Sequence, residues 1–120
     1  MDEVEDSPAG FGYGEVQEAR FANKALEAER TGASFHRVKP GKRQGFGHKH
    51  DEAEEVYVVV HGDGLLKLDD EIIEVETLDA IRVSPDVMRA FEAGDDGLEV
   101  IVFGPHHEGD GEVDPGFWSE

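Results

Sequence analysis

The amino-acid sequence predicts an all-β protein, a barrel or sandwich of many short strands. Two observations lead to this class. Short runs rich in β-branched and aromatic residues follow one another after Gly32, and clusters of glycine, proline and aspartate separate them. Many short strands at regular spacing are typical of sandwiches and barrels. The predicted strands cover residues 34–38, 47–50, 55–60, 65–68, 72–76, 80–83, 88–92 and 98–103.

The two ends of the chain differ from this pattern. Residues 1–14 are acidic and glycine-rich with few large apolar groups, so we expect a mobile acidic tail ahead of a single domain at 15–120. Residues 18–29 fit either a short helix or an edge strand followed by a turn. Residues 104–111 have a loop composition, after which we expect Phe117 and Trp118 to fold back onto apolar surface.

The amino-acid composition argues against some classes of binding partner. The sequence has 29 acidic and 11 basic residues and a formal net charge of −18, which repels nucleic acid and anionic membranes. This acidity fits either an ordinary solvated surface or adaptation to high salt. Zero cysteines exclude disulfides and thiolate ligands and are compatible with a reducing cytosol. Since residues 1–6 do not resemble the start of a signal peptide, we expect a cytoplasmic protein with no nucleic-acid or membrane partner.

Two histidines and one glutamate indicate a metal site. His48 and His50 are separated by one residue on a predicted strand, so their side chains project from one face and can share an ion. Glu55 begins the next predicted strand and shares a face with Tyr57 and Val59. If that face is turned towards the histidines, the three side chains form a two-histidine, one-carboxylate site suited to divalent Fe, Mn, Ni or Zn.

The segment at residues 45–64 resembles the first motif of the cupin superfamily. That motif has His-x-His, a short spacer, a glutamate, six residues and a glycine. Here four residues separate His50 from Glu55, and six separate Glu55 from Gly62. The resemblance extends over about residues 32–104 and is strongest to small single-domain cupins without an assigned activity. It implies a jelly-roll barrel, also called a double-stranded β-helix, with a short N-terminal extension.

The second cupin motif is altered at its metal ligand. In the family this motif supplies a histidine as the fourth ligand, and aligning Phe91 with the aromatic residue that usually follows places Arg89 at that position. A guanidinium is always protonated and has no lone pair to offer a metal.

Three interpretations of Arg89 remain open at this point. It can stand beside a three-ligand metal site and hold an anionic substrate through a bidentate contact. It can instead pair with Glu55 or Glu54 in a pocket without metal. If the strand register differs by one residue, Arg89 points outward and Met88 or Ala90 points inward.

Other polar residues are weaker candidates. Tyr57 lies on the predicted ligand face, where it can donate a hydrogen bond to a substrate or pack with a satisfied hydroxyl. His36 can line the pocket from the first strand or be structural. We expect His61 to be exposed in a hairpin whose turn is formed by the Gly-Asp-Gly at 62–64. We expect the histidines at 106–107 to lie on a surface loop.

The strand at 55–60 also predicts a partner. Val56, Val58 and Val60 are apolar although they lie opposite the ligand face, so that outer face needs a cover. A closed two-fold dimer is the commonest solution. We therefore predict a homodimer that residues 18–26 or 117–118 help to close.

Two functions are consistent with these features. The first is a metal-dependent enzyme of the dioxygenase, isomerase or decarboxylase type, acting on a small anionic molecule. In it Arg89 orients the substrate and Tyr57 or His36 moves a proton. The second is a non-catalytic small-molecule binding or sensing module. Nothing in the sequence identifies the ligand.

Overall fold

A computed structural model of the chain describes residues 17–27, 30–105 and 111–118, and these residues form β-strands and turns without a helix. None of them belongs to a helix with the length and hydropathy needed to cross a membrane. The prediction of an all-β fold is confirmed. The strands are β1 (Gln17–Phe21), β2 (Gly32–Val38), β3 (Gly47–His50), β4 (Glu55–Leu68), β5 (Glu71–Glu76), β6 (Ala80–Val83), β7 (Arg89–Gly104) and β8 (Gly111–Asp114).

Strands β4 and β7 are long enough to take part in both halves of a curled sheet. The first part of β4 pairs with the last part of β7, as in Val56 opposite Phe103, and the last part of β4 pairs with the first part of β7, as in Lys67 opposite Ala90. One half therefore has the order β1-β2-β7-β4-β6, and the other has the order β8-β3-β7-β4-β5. This folded-over arrangement is the jelly-roll barrel.

The predicted hairpin at residues 61–64 is wrong. The chain passes through this segment as part of β4, with irregularities in the β4–β7 register between Val59 and His61 and between Gly62 and Gly64. Gly62 has a φ of +82°, and a Cβ atom there would lie 2.0 Å from the carbonyl oxygen of Gly97. Glycine is thus required by a bulge and a close approach of two strands, which bend the sheet, and not by a turn. His61 is exposed, as expected.

The core lies between the inner faces of the two halves. Alternate residues of each strand point into it, as the period of two requires. Val59 and Leu66 on β4 have no exposed surface, and Phe91 on β7 is 1% exposed. The buried cluster consists of Val38, Tyr57, Val59, Leu66, Val75, Val83, Phe91, Ala93, Leu98, Val100 and Val102.

Both ends of the described chain pack along the edges of the barrel. Residues 17–21 form β1 and a turn follows, so the edge-strand alternative is correct and the helix is not. At the other end, Trp118 Nε1 donates a hydrogen bond to the carbonyl oxygen of Gln44 at 3.1 Å, and the Phe117 ring packs against Gly47. The C-terminal aromatic residues therefore fold back onto the half that contains β3, as predicted.

Some sequence predictions fall outside the described residues. The acidic tail at 1–14 and the histidines at 106–107 are among them. The assignment of one domain to residues 15–120 stays a prediction.

Candidate metal centre

The barrel brings the two histidines and the glutamate together from opposite halves of the sheet. His48 on β3 lies directly across from Arg89 on β7, which fixes the face that β3 turns inward. The backbone N–H of His50 donates a hydrogen bond to the carbonyl oxygen of Pro85 at 2.7 Å, which ties the end of β3 to the loop before β7. Glu55 begins β4 and pairs with Val83 of β6, so its side chain enters the interior from the other half.

The geometry of the cluster suits a single divalent ion. One ligand atom from each of His48, His50 and Glu55 can be chosen so that all lie within 4.8 Å of one another. The Nε2 atoms of His48 and His50 are 3.7 Å and 3.2 Å from Glu55 Oε1. The imidazole rings meet edge to face with centroids 5.3 Å apart. The convergence predicted from residue spacing is therefore present.

Glu55 is the centre of a wider hydrogen-bond network. The hydroxyl of Tyr57 donates to Glu55 Oε1 at 2.7 Å, and Arg89 Nη1 donates to the same oxygen at 3.2 Å. A carboxylate has two oxygens and about four acceptor sites, so these contacts leave capacity for an ion. Tyr57 and Arg89 thus hold the carboxylate in place.

The protonation states of the cluster follow from this network. Burial alone would raise the pKa of Glu55, but its contacts with His48, His50 and Tyr57 outweigh burial and lower that pKa well below its usual range. Burial lowers the pKa of His48, against the opposing effect of Glu55. Burial and the charge of Glu55 raise the pKa of Tyr57, which keeps its proton as a donor.

Arg89 points into the barrel and is completely buried. The outward register is therefore wrong, although Ala90 on the opposite face of β7 is buried as well. The pairing with Glu55 is observed, whereas Glu54 pairs with Arg82 at 2.9 Å on the surface. Arg89 Nη2 also donates to the carbonyl oxygen of Ser84 at 2.6 Å. Arg89 Nε is buried and has no hydrogen-bond partner among the described residues.

His36 lines the same interior from β2, together with a serine that the sequence analysis missed. Ser34 Oγ and His36 Nε2 share a hydrogen bond of 2.8 Å, and the Phe21 ring packs edge to face on His36. Burial and the nearby His48 lower the pKa of His36 to about 4, so its ring is neutral at pH 7. The period of two along β2 places Ser34 on the face of His36, and this signal could have identified it.

Comparison with known proteins supports the fold. No protein-family model matches the sequence, and the search of curated proteins gives no significant match. A cupin protein from Bacteroides fragilis superimposes with a TM-score of 0.69 at 24% identity, over 76% of this chain and 78% of that one. The polyketide cyclase RemF from Streptomyces resistomycificus gives a TM-score of 0.70 at 24% identity, over 87% and 73%. A sugar phosphate isomerase of the cupin superfamily from Silicibacter pomeroyi gives 0.70 at 18% identity, over 88% and 73%.

These likenesses define the class of this protein: it has the cupin fold, as its sequence motif implied. In particular, it is a cupin-fold chain with a cluster of two histidines and a glutamate able to hold a metal ion, and with a buried arginine beside that cluster.

Proposed function

We propose that the chain binds a divalent metal ion through His48, His50 and Glu55 and uses it to act on a small anionic molecule in the barrel. The single observation that carries this proposal is the convergence of two imidazole nitrogens and a carboxylate oxygen within 4.8 Å inside the barrel. Two histidines and one carboxylate form a common donor set for Fe(II), Mn(II), Ni(II) and Zn(II).

The protonation states of the donors support the fit. Metal ligands must be deprotonated, which means a neutral histidine and an ionised carboxylate. The lowered pKa values of His48 and Glu55 give these two groups the required forms at neutral pH. A bound ion of this kind supplies Lewis acidity, which polarises an oxygen of the substrate.

Arg89 favours an anionic ligand. Glu55 carries one negative charge, whereas a divalent ion and the Arg89 guanidinium together carry three positive charges, so the occupied site would be strongly electropositive. Arg89 Nε lacks an acceptor among the described residues, and an anionic oxygen would supply one. This combination supports the interpretation of Arg89 as a group that orients an acidic substrate.

Tyr57 and His36 have different roles in this proposal. Tyr57 keeps its proton and directs it to Glu55, so it positions the carboxylate. His36 is neutral at pH 7 and shares a hydrogen bond with Ser34, so a substrate placed over this pair could exchange a proton with it. His36 is thus the better of the two candidates for moving a proton.

The class of reaction is the finer part of the proposal. The solved structures with this fold include a polyketide cyclase and a sugar phosphate isomerase, so one barrel type accommodates several reactions. We favour an isomerase, decarboxylase or dioxygenase type of activity. A binding or sensing module is the second candidate, because Tyr57 and Arg89 are both already engaged with Glu55.

Elemental analysis of protein purified without a histidine tag tests the metal site. We expect about one ion per chain in the parent protein, and loss of that ion in His48→Ala and His50→Ala. The matched control is His61→Ala, because His61 is an exposed histidine outside the cluster. Parent protein that stays metal-free after incubation with each of the four ions would overturn the proposal.

Ligand binding separates the two candidate functions. Calorimetric titration with small carboxylates and sugar phosphates should give saturable binding to the metal-loaded protein and at least about tenfold weaker binding to Arg89→Met, because a charged hydrogen bond is lost. Binding that survives chelation of the metal, with no turnover of any ligand, favours the sensing module.

A further inference from the structure

Strand β3 carries two of the three candidate metal ligands, and the C-terminal segment at residues 111–118 holds this strand on one side. All four residues of β3 pair with β8, which is part of that segment. On the other side of β3, the pairing with β7 among the described residues is His48 opposite Arg89, and the His50 N–H donates a hydrogen bond to the carbonyl oxygen of Pro85. Most of the strand pairing that places β3 thus comes from the C-terminal segment.

Phe117 packs on the outer side of β3, behind the two histidines. The period of two along the strand turns His48 and His50 inward and Gly47 outward. A turn in which the Phe117 N–H donates to the carbonyl oxygen of Asp114 at 3.3 Å returns the chain over β3. The Phe117 ring then lies so close to Gly47 that a Cβ atom on the glycine would be 2.5 Å from it. Phe117 is 8% exposed, so a buried ring backs the strand that carries the ligands.

Contacts with other parts of the barrel fix the C-terminal segment itself. The Lys67 ammonium on β4 donates a hydrogen bond to the carbonyl oxygen of Phe117 and lies 4.4 Å from the centre of its ring. Trp118 Nε1 donates to the carbonyl oxygen of Gln44 at 3.1 Å, and the Arg43 guanidinium is 4.8 Å from the centre of the Trp118 ring. The segment is therefore anchored to β4 and to the loop before β3, and β3 is held between it and β7.

We infer that Phe117 and Trp118 are positioning residues for the metal centre, and that docking of the C-terminal segment and metal binding strengthen each other. The docked segment holds β3 where its two histidines meet Glu55, so less ordering is left for the ion to bring about. Two events that favour the same arrangement are coupled by the same factor in both directions. A bound ion should therefore also hold the segment against β3. This inference rests on the proposed metal site, and it adds an element that controls how tightly the site binds its ion.

Metal affinity measured on the full chain tests the first direction of this coupling. Zn(II) is the probe because it is redox-inactive, and competition with a fluorescent chelator gives its affinity. Phe117→Ala should weaken Zn(II) binding at least about tenfold, the usual effect of removing a group that supports a ligand. Phe117→Leu keeps an apolar group over Gly47 and should bind Zn(II) more tightly than Phe117→Ala. The matched control is Val75→Ala, because Val75 is 3% exposed in the core on β5, whose partner in the sheet is β4. This control also loses buried apolar groups, and it should keep the affinity of the parent.

Hydrogen–deuterium exchange read by mass spectrometry tests the reverse direction. Saturating Zn(II) should slow the exchange of the backbone N–H groups of residues 111–114 in the parent protein by at least about tenfold, the same factor that is expected for the affinity. The same addition should leave this exchange unchanged in His48→Ala, which lacks a ligand. Strand β5 is the internal reference, and its exchange should change less than that of β8.

Three results would overturn the inference. One is Phe117→Ala with the Zn(II) affinity of the parent while His48→Ala loses binding, which would leave the metal site standing without help from the segment. Another is an equal loss of affinity in Val75→Ala, which would trace the effect to stability alone. The third is unchanged exchange of residues 111–114 at saturating Zn(II). A parent protein that binds no ion overturns the proposed metal site itself, and the inference with it. If circular dichroism shows that Phe117→Ala does not fold, Trp118→Phe removes one hydrogen bond of the segment and should weaken Zn(II) binding; parent affinity in that variant would overturn the inference.

Discussion

Two adjacent glutamates, Glu54 just before β4 and Glu55 at its first position, make a matched test of how much the interior network stabilises the protein. Glu55 pairs with Arg89, which has no exposed surface, and 16% of the Glu55 side chain is exposed. Glu54 pairs with Arg82, and these two side chains are 56% and 61% exposed. The perturbation is Glu55→Gln compared with Glu54→Gln, each of which removes one charge and keeps the size of the side chain.

The two substitutions should destabilise the protein by different amounts, because the Glu55–Arg89 pair is largely buried and the Glu54–Arg82 pair is exposed to solvent. Glu55→Gln leaves the Arg89 charge buried without a counter-charge, which costs about 3–5 kcal/mol of the free energy of unfolding. Glu54→Gln breaks a surface ion pair, which costs about 0–1 kcal/mol. With a urea dependence of about 1.5 kcal/mol per molar, the larger cost lowers the denaturation midpoint by about 2–3 M.

Urea denaturation at pH 7 in the presence of a chelator measures both costs without metal binding. The double variant Glu55→Gln with Arg89→Met completes a double-mutant cycle. It should be more stable than Glu55→Gln alone, because the buried positive charge of Arg89 is gone. Equal costs for the two glutamate variants, or a double variant no more stable than Glu55→Gln, would refute the view that Glu55 neutralises Arg89.

Further predictions concern acid, metal affinity and packing. The folded protein keeps His36 neutral down to about pH 4, whereas an unfolded histidine binds a proton below about pH 6.5. The free energy of unfolding should therefore fall as the pH drops from 6.5 to 4, by up to about 1.4 kcal/mol per pH unit from this group. His36→Gln should flatten the pH dependence of stability in that window. An unchanged pH dependence in this variant would contradict the neutral state of His36. The lowered pKa of Glu55 adds stability above the pKa of an unfolded glutamate, and this contribution should be lost on further acidification. Metal affinity should decrease on acidification because protons compete for His48, which a fluorescent-chelator titration at several pH values would measure; pH-independent affinity would argue against histidine ligation. Leu66→Ala should cost about 2–5 kcal/mol in thermal or urea unfolding, because Leu66 has no exposed surface in the core, and a cost below about 1 kcal/mol would show that the core repacks freely.

The sequence alone determined the fold class and the candidate ligand residues. Local patterns were sufficient for both, because alternation with a period of two fixes which residues share a face of a strand. His48 and His50 share a face through spacing alone, and the limits of β3 and β6 agree with those predicted.

Features that depend on pairing between distant strands were decided by the tertiary structure, because local sequence patterns do not contain them. The stretch at 61–64 looks like a hairpin turn because glycine serves turns and bulges equally, and only the approach of Gly97 shows that β4 continues. The short strand β8 was missed because it follows directly on a segment of loop composition and is defined by its pairing with β3.

The role of Arg89 was likewise decided by the fold. From sequence, an arginine at this position could hold a ligand, pair with a glutamate or point outward. The barrel places β3 beside β7 and turns the start of β4 towards both, so Arg89 meets Glu55 in the interior. Contacts between residues far apart in sequence depend on how strands pair across the whole sheet. Residue types and spacing therefore determine the candidate ligands, whereas strand pairing determines which charges neutralise one another.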